Sequence, residues 1–209
     1  MEFCKENKVR HFFYASSSSV YGNDNKFNEN FFQKKVSSIY AASKVCNEIF
    51  ANVYNYLYGI NTLGLRFFTV YGPYGRPDMS LFKFINSGIN NKSIELYNYG
   101  KHSRDFTYID DIVNSIYLLF KKNLKNKKPV YEIFNLGNSK PISLKYFVKY
   151  IEKIIGKKLK IKYLPMQKGD VEKTHSSPKK LYKYINYKPK TSVENGIKNF
   201  YNWYINYHK

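Results

Sequence analysis

Short apolar runs alternate with amphipathic segments along the chain, and this alternation constrains the fold most. Buried strands are predicted at 9–15, 61–67 and 131–136, and helices at 38–58 and 110–122. Strands that are separated by helices pair in parallel through crossover connections. The sequence therefore predicts an α/β fold with a largely parallel sheet. Further elements are predicted at 80–90, 94–97, 104–108, 143–156, 159–164 and 192–207.

Polar residues at the starts of the later helices are predicted to have structural roles. Ser143 is a predicted N-cap, and Thr191-Ser-Val-Glu194 has the pattern of a capping box. Asp110 and Asp111 begin a helix, where a carboxylate interacts favourably with the helix dipole. We therefore interpret both aspartates as structural rather than catalytic.

The formal net charge of +20 raises the question of nucleic-acid binding. Nearly all of the positive charge is Lys, spread along the chain among many Asn, Tyr, Ile and Phe, so biased codon usage explains it. We expect neither a nucleic-acid nor a membrane partner, and keep a basic nucleic-acid binder only as a third hypothesis. Cys4 and Cys46 are isolated, which indicates a reducing, cytoplasmic location, and Cys46 is predicted to be a core residue.

Three residues in fixed order could transfer a proton. Ser17 lies in AlaSerSerSerSerValTyrGly, and Tyr40 and Lys44 lie in TyrAlaAlaSerLys. Helical spacing puts the phenol and the ammonium on one face, where the ammonium stabilises a phenolate. Only this pair opens a helix after a strand that ends in small hydroxylated residues. The same spacing recurs at Tyr97/Lys101, Tyr117/Lys121 and Tyr184/Lys188.

These motifs, with PhePheThrValTyrGlyProTyrGlyArgProAspMet and ArgAspPheThrTyrIleAspAsp, resemble the extended short-chain dehydrogenase/reductases, NAD-dependent epimerase/dehydratase family. The resemblance runs from about Phe3 to Tyr207 and is closest to the UDP-glucuronate 4-epimerases. It implies the second half of a Rossmann-like parallel sheet with a small C-terminal α/β substrate lobe. Residues 1–75 would carry the catalytic half of the NAD-binding domain. Residues 76–209 would form mainly the nucleotide-sugar lobe, with the chain crossing back near 104–140.

The resemblance also implies roles for individual residues. Ser17 would hydrogen-bond the reacting hydroxyl, Tyr40 would be the general base, and Lys44 would hold the nicotinamide ribose. Phe68 would lie by the nicotinamide. Arg104 would contact the diphosphate, although a surface ion pair with Asp105 is the alternative. Substrate-binding positions would be Ser17, Ser18, Ser19, Thr69, Arg76, Arg104 and Gln167, and no metal site is expected from His102 or His175.

The implied reaction is transient oxidation of a UDP-sugar at C4, with hydride returned to the other face of a 4-keto intermediate. Ser17 is followed by Ser18, so the acidic residue that dehydratases and decarboxylases place there is missing. Thr69 and Arg76 match the positions that hold the uronate carboxylate in the resembling UDP-glucuronate 4-epimerases. The resemblance therefore implies UDP-glucuronate as the substrate. UDP-glucose or a UDP-N-acetylhexosamine is the alternative substrate. An inactive remnant or partner subunit is the second hypothesis.

The resembling enzymes begin with a strand and a Gly-rich turn that cradles the pyrophosphate, whereas the first glycine here is Gly22. We therefore expect a fragment, a truncated gene product or one half of a split enzyme, inactive and poorly soluble alone. The complete enzyme is expected to be a homodimer through helix 38–58, with a possible separate N-terminal half. ThrHisSerSer (174–177) replaces the usual Ala-Asp pair, which puts the C-terminal nucleotide contacts in doubt.

Overall fold

Helices and strands alternate in the computed structural model, which describes residues 1–22, 27–30, 36–126, 128–167 and 170–208. The predicted boundaries agree with it to within about two residues, except that 104–108 forms two short strands. In chain order the elements are α1 (Glu2–Glu6), β1 (His11–Ser17), α2 (Ile39–Tyr58), β2 (Asn61–Phe67), β3 (Thr69–Tyr71), α3 (Ser80–Ile89), β4 (Ser93–Leu96), β5 (Ser103–Arg104), β6 (Phe106–Tyr108), α4 (Ile109–Asn123), β7 (Tyr131–Leu136), β8 (Ile142–Ser143), α5 (Leu144–Ile155), β9 (Lys160–Tyr163), α6 (Lys179–Ile185) and α7 (Val193–Tyr207).

The largest sheet among the described residues is parallel and has the order β1-β2-β7. Successive side chains point to opposite faces of a strand. Leu63 and Leu65 of β2 therefore pack with α4 and α6, whereas Arg66 faces α2. The three strands end together, with Ser17 opposite Phe67 and Phe67 opposite Leu136. The α/β prediction is confirmed, and residues after these strands gather at one edge of the sheet.

Helix α2 is buried on one side only. Its N-cap is Ser38, whose Oγ accepts a hydrogen bond from the Ala41 amide at 3.1 Å, and it ends at Gly59 with φ +66°. The prediction that Cys46 is a core residue is wrong, because its thiol is exposed on the face directed away from the sheet. Apolar residues share that face: Ile39, Ile49, Phe50, Val53 and Leu57.

A smaller lobe is built from α3, α5, α7 and the parallel pair β4-β9. Its core contains Ile85, Ile151 and Phe200, and the rings of Phe106 and Phe147 stack with their centroids 4.1 Å apart. The pairs β3-β6 and β5-β8 are formed by segments through which the chain passes between the parallel sheet and this lobe. This arrangement places β5, which carries Arg104, beside the start of α5.

Of the two predicted helix starts, the structure confirms one and corrects the other. Ser143 Oγ accepts from the Tyr146 amide at 3.3 Å, so the predicted N-cap is confirmed. The capping box at Thr191 is wrong by one residue. Ser192 has the extended backbone of an N-cap and accepts from the Asn195 amide at 3.2 Å, while the Thr191 amide donates to Asp111.

Some features lie outside the predictions or outside the described residues. Helix α6 and the short strands β3 and β8 were not predicted, because none shows a periodic apolar pattern of useful length. The polar loop predicted up to Ser37 falls partly at 23–26 and 31–35, outside the described residues. Within the described ranges, no helix has the length and apolar character needed to cross a membrane.

Candidate functional site

The three residues predicted to transfer a proton lie at the end of β1 and in the first turns of α2, and the structure pairs two of them, Tyr40 and Lys44. Lys44 Nζ lies 5.5 Å from the centroid of the Tyr40 ring and donates to the Ala15 carbonyl at 2.9 Å. The Tyr40 side chain is 56% exposed, so its hydroxyl is open to a ligand. The Lys44 ammonium is therefore anchored to β1 at Ala15, two residues before Ser17, and is held beside an accessible phenol.

Ser17 lies at the end of β1 and caps a short 3₁₀ turn, Ser18–Tyr21. Its Oγ accepts from the Ser19 amide at 3.2 Å and from Ser19 Oγ at 2.9 Å. Both contacts use the lone pairs of Ser17 Oγ, which directs its own proton outward. Ser17 is thereby prepared as a hydrogen-bond donor.

Phe68 lies in a small aromatic cluster below this edge of the sheet. It is 6% exposed, and its ring packs edge-on against Phe27 with centroids 5.9 Å apart, with Tyr21 beside both. Its amide donates to the Leu136 carbonyl at 3.0 Å. The structure therefore places Phe68 at the carboxyl ends of the strands, mostly as a packing residue.

A cleft of about 440 Å³ opens between β5, α3 and the segment before Asp170. It brings together three predicted substrate positions, Thr69, Arg104 and Gln167. Pockets of this size are typical of small-molecule sites. Other polar residues that line it are Asp78, Ser80, Lys83, Glu95, Tyr97, His102 and Asp170.

Arg104 is held at the cleft by Asp170. Arg104 Nη2 lies 2.9 Å from Asp170 Oδ1, and Nη1 donates to the Glu172 carbonyl at 3.0 Å. The alternative prediction, a surface ion pair between Arg104 and Asp105, is wrong. That carboxylate is fully buried and accepts from the Ser139 and Ser176 amides, each at 2.9 Å. The guanidinium is thus preorganised at the cleft wall, with one carboxylate beside it.

His102 lies beside Asp170, on the same carboxylate as Arg104, but its Nε2 makes no hydrogen bond in the described residues. His102 is 4% exposed, and its Nε2 lies 3.3 Å from Asp170 Oδ2. Burial lowers the pKa of His102, the Arg104 charge lowers it further, and Asp170 and Glu172 partly offset both effects. The imidazole is therefore neutral at pH 7, and the positive charge at this wall belongs to Arg104.

Arg76 lies on an exposed loop rather than in the cleft. Its Nε donates to Asp78 Oδ1 at 3.0 Å, and its side chain is 76% exposed. The hydrogen bonds and charge of Asp78 raise the pKa of Arg76. Arg76 and Thr69 line a common small pocket next to the cleft. The guanidinium of Arg76 is thus already paired with a carboxylate.

Sequence reasoning assigned no substrate contact to the other polar residues of the cleft, among them Lys83, Tyr97, His102 and Asp170. Lys and Tyr are too frequent in this chain for a single one to attract attention. The acid at 170 could have been noticed, because it follows Gln167 closely and the chain has only 15 acidic residues. Among the described residues, no three His, Cys, Asp or Glu side chains are placed to hold a metal ion.

Comparison with known proteins gives consistent matches. The model of the NAD dependent epimerase/dehydratase family matches residues 1–137. Uncharacterized protein MJ1055 of Methanocaldococcus jannaschii is 51% identical over 206 residues, covering 98% of this chain and 62% of the relative. A UDP-glucuronate 4-epimerase of Thermodesulfobacterium geofontis is 40% identical, covering 97% of this chain and 62% of the relative.

The fold is also similar to that of a solved enzyme. The UDP-glucuronic acid 4-epimerase of Bacillus cereus, solved in complex with UDP-glucuronic acid and NAD, superposes with a TM-score of 0.89 at 30% identity. The match covers 99% of this chain and 65% of that chain. The present chain thus spans less than two thirds of the length of these three proteins.

Proposed function

This chain belongs to the NAD dependent epimerase/dehydratase family, and on that premise we propose that it carries the catalytic and substrate-binding part of a nucleotide-sugar 4-epimerase. The substrate is UDP-glucuronate and the product is UDP-galacturonate. The observation that carries the proposal is the Tyr40–Lys44 pair, held against β1 at the carboxyl ends of three parallel strands. Ligands of open α/β sheets bind at this edge.

The residues at this edge fit the nicotinamide end of NAD. Lys44 presents an ammonium fixed in place by the Ala15 carbonyl, a geometry suited to holding ribose hydroxyls. When bound, NAD supplies the acceptor and the later donor of the hydride at C4 of the sugar. We assign residues 1–75 to the NAD-binding half and residues 76–209 mainly to the sugar-nucleotide lobe. The chain returns to the sheet near 104–140, where β7 pairs with β2.

Tyr40, Ser17 and Lys44 would move the proton. Tyr40 accepts the proton of the sugar 4-hydroxyl as a general base and returns it to the oxygen of the 4-keto intermediate. Ser17 donates a hydrogen bond to that oxygen, because Ser19 already occupies the lone pairs of Ser17 Oγ. Lys44 stabilises the phenolate through its charge. Each residue is restored at the end of the cycle.

The cleft would bind the rest of the substrate. Arg104 can form a bidentate contact with the diphosphate, and Gln167 lines the same cleft. Arg76, with Thr69 beside it, would hold the uronate carboxylate at C6. Asp78 favours a second candidate, because a guanidinium that is already neutralised suits the uncharged C6 group of UDP-glucose or a UDP-N-acetylhexosamine.

The assembly is part of the proposal. We propose that the active unit also contains the remaining third found in the relatives, and that α2 forms a homodimer interface. The exposed apolar face of α2 supports this, because Phe50 and Leu57 are 61% and 57% exposed and such patches commonly mark interaction surfaces. The isolated Cys4 and Cys46 support a reducing, cytoplasmic location.

The decisive experiment measures turnover of UDP-glucuronate by the 209-residue chain, alone and co-expressed with the N-terminal third of a relative. The co-expressed complex should retain NAD, and its product should be an isomer with the mass of the substrate. Tyr40→Phe should retain NAD and abolish turnover. Loss of water or carbon dioxide from the substrate would refute epimerisation, and equal turnover of UDP-glucose would favour the second candidate.

A further inference from the structure

A buried ion pair joins the helix of Tyr40 and Lys44 to the sheet. Glu48 of α2 accepts from Arg66 of β2 through both oxygens, with Nε–Oε1 at 2.8 Å and Nη2–Oε2 at 2.7 Å. Both side chains are 3% exposed. Burial alone would lower the pKa of Arg66, but the hydrogen bonds and charge of Glu48 outweigh it and raise that pKa. Arg66 therefore keeps its positive charge throughout the working pH range.

The pair belongs to a row of polar residues that crosses the sheet one residue before the strands end. Ser16, Arg66 and Asn135 are neighbours in register on β1, β2 and β7. Ser16 Oγ donates to Glu48 Oε1 at 2.6 Å, and the Arg66 guanidinium lies 4.7 Å from the centroid of the Tyr21 ring. Glu48 thus contacts both the strand that ends at Ser17 and its neighbour.

Glu48 connects this row of polar residues to the proton-transfer residues, because it lies on the same helix as Tyr40 and Lys44. Tyr40, Lys44 and Glu48 are spaced by four, so they follow one face of the helix over two turns. Ser16 directly precedes Ser17 on β1. A shift or rotation of α2 would break the bidentate contact of Glu48 and would move Tyr40 relative to Ser17 at the same time.

Stability alone is a poor explanation for such a pair. Desolvation of two buried charges cancels much of their attraction, and well-packed apolar replacements are often equally stable. A bidentate contact between a guanidinium and a carboxylate is, however, strongly directional. An apolar contact of the same volume would permit the helix to slide or rotate.

We propose that Glu48 and Arg66 are positioning residues, which fix the axial and rotational setting of α2 so that Tyr40 and Lys44 meet Ser17. The inference rests on the proposed epimerase function and deepens it. Neither residue touches the reacting atoms. Their role is to keep the reacting groups within the small tolerance that catalysis needs, because a misplacement of about 1 Å can lower the rate about 100-fold.

The test separates positioning from stability. The variant Ser16→Ala/Glu48→Leu/Arg66→Met removes the ion pair and the hydroxyl of Ser16 while keeping the site filled, and Tyr21, which lies against Arg66, keeps its hydrogen bond to Asn135. In the active NAD-loaded complex, its melting temperature should stay within about 4 °C of the wild type. NAD retention and KM should be unchanged, and kcat should fall about 10- to 100-fold. Ile151→Val, in the core of the other lobe, is the stability control and should keep kcat.

Two further measurements keep the proposal testable. One applies if the triple variant does not fold, and the other applies if the chain proves not to be an epimerase. Arg66→Lys keeps the charge but loses the bidentate fork, so kcat should fall by about 3- to 10-fold at constant KM. Hydrogen exchange of amides 41–48 in the ligand-free protein should be at least about 10-fold faster in the triple variant. That readout needs no turnover and decides the positioning role even if no UDP-sugar is converted. Unchanged exchange, or kcat within about twofold of the control in either variant, overturns the proposal.

Discussion

Replacing Asp111 by Asn should destabilise the protein far more than the same change at its neighbour Asp110. Asp111 is 4% exposed and accepts three hydrogen bonds. They come from Tyr187 Oη at 2.6 Å, the Lys190 amide at 3.1 Å and the Thr191 amide at 3.0 Å. The carboxylate therefore ties the first turn of α4 to the segment that leads into α7.

The magnitude follows from the donors that Asn cannot satisfy. The Asn oxygen could still accept from Tyr187 and Lys190, but its NH₂ group would face the Thr191 amide, so that one charge-assisted bond is lost and two donors oppose each other. Each such bond contributes about 1.5–3 kcal/mol, so Asp111→Asn should lower the free energy of unfolding by about 2–3 kcal/mol. With an m-value of about 2 kcal/mol/M, the urea midpoint should fall by about 1–1.5 M.

The assay is urea unfolding followed by the fluorescence of Trp203, which is the only tryptophan of the chain and lies in α7. Asp110→Asn is the matched control, because it makes the same charge change in the same helical turn at an exposed position and should cost about 0.5 kcal/mol or less. Equal losses at both positions would refute the hydrogen-bond argument, since the helix dipole acts on both.

The pH dependence provides a second check on Asp111. Burial by itself would raise the pKa of Asp111, but the hydrogen bonds from Tyr187 and the two amides outweigh it and lower that pKa. A lowered folded-state pKa contributes stability that is present above the unfolded value, near 3.9, and is lost as the pH falls through the folded value. The difference between wild type and Asp111→Asn should therefore be full at pH 7 and shrink below about pH 4.

Three further predictions concern other parts of the molecule. Gly196→Ala should lower the free energy of unfolding by about 1–3 kcal/mol in the same assay, because a Cβ would collide with the Tyr71 ring; a neutral change would contradict the packing. Asp78→Asn should tighten UDP-glucuronate binding by about two- to fivefold in calorimetry and leave UDP-glucose unchanged, since it frees Arg76. Phe50→Glu should reduce association in sedimentation measurements, and unchanged association would argue against the α2 interface.

Local signals predicted the elements of this fold well. Helix α2 matches the predicted range 38–58 to within one residue, and its ends are set locally, because the Ser38 hydroxyl and the left-handed Gly59 act on their own backbone. The alternation of strands and helices was enough for a parallel sheet. Where a cap depended on longer contacts, the prediction failed, as when the Thr191 amide paired with Asp111 and Ser192 became the cap.

The candidate site was less accessible to local reasoning. The spacing of Tyr40 and Lys44 predicted that phenol and ammonium face each other, but Tyr117 and Lys121 do the same at 5.3 Å on α4. What distinguishes Lys44 is its bond to the Ala15 carbonyl, 29 positions away in the chain. Helical spacing can therefore propose such a pair, and only the neighbouring strand identifies it.

The sequence by itself determined most of the helices and strands, though not α6, β3 and β8, and which motifs carry hydroxyl, phenol, ammonium and guanidinium groups. The tertiary structure decided which partners those groups take. Arg104 pairs with Asp170 instead of its neighbour Asp105, and Arg66 pairs with Glu48. The physical reason is that caps and helical spacing act within a few residues, whereas the partner of a buried charge depends on which distant segments pack against it and exclude water.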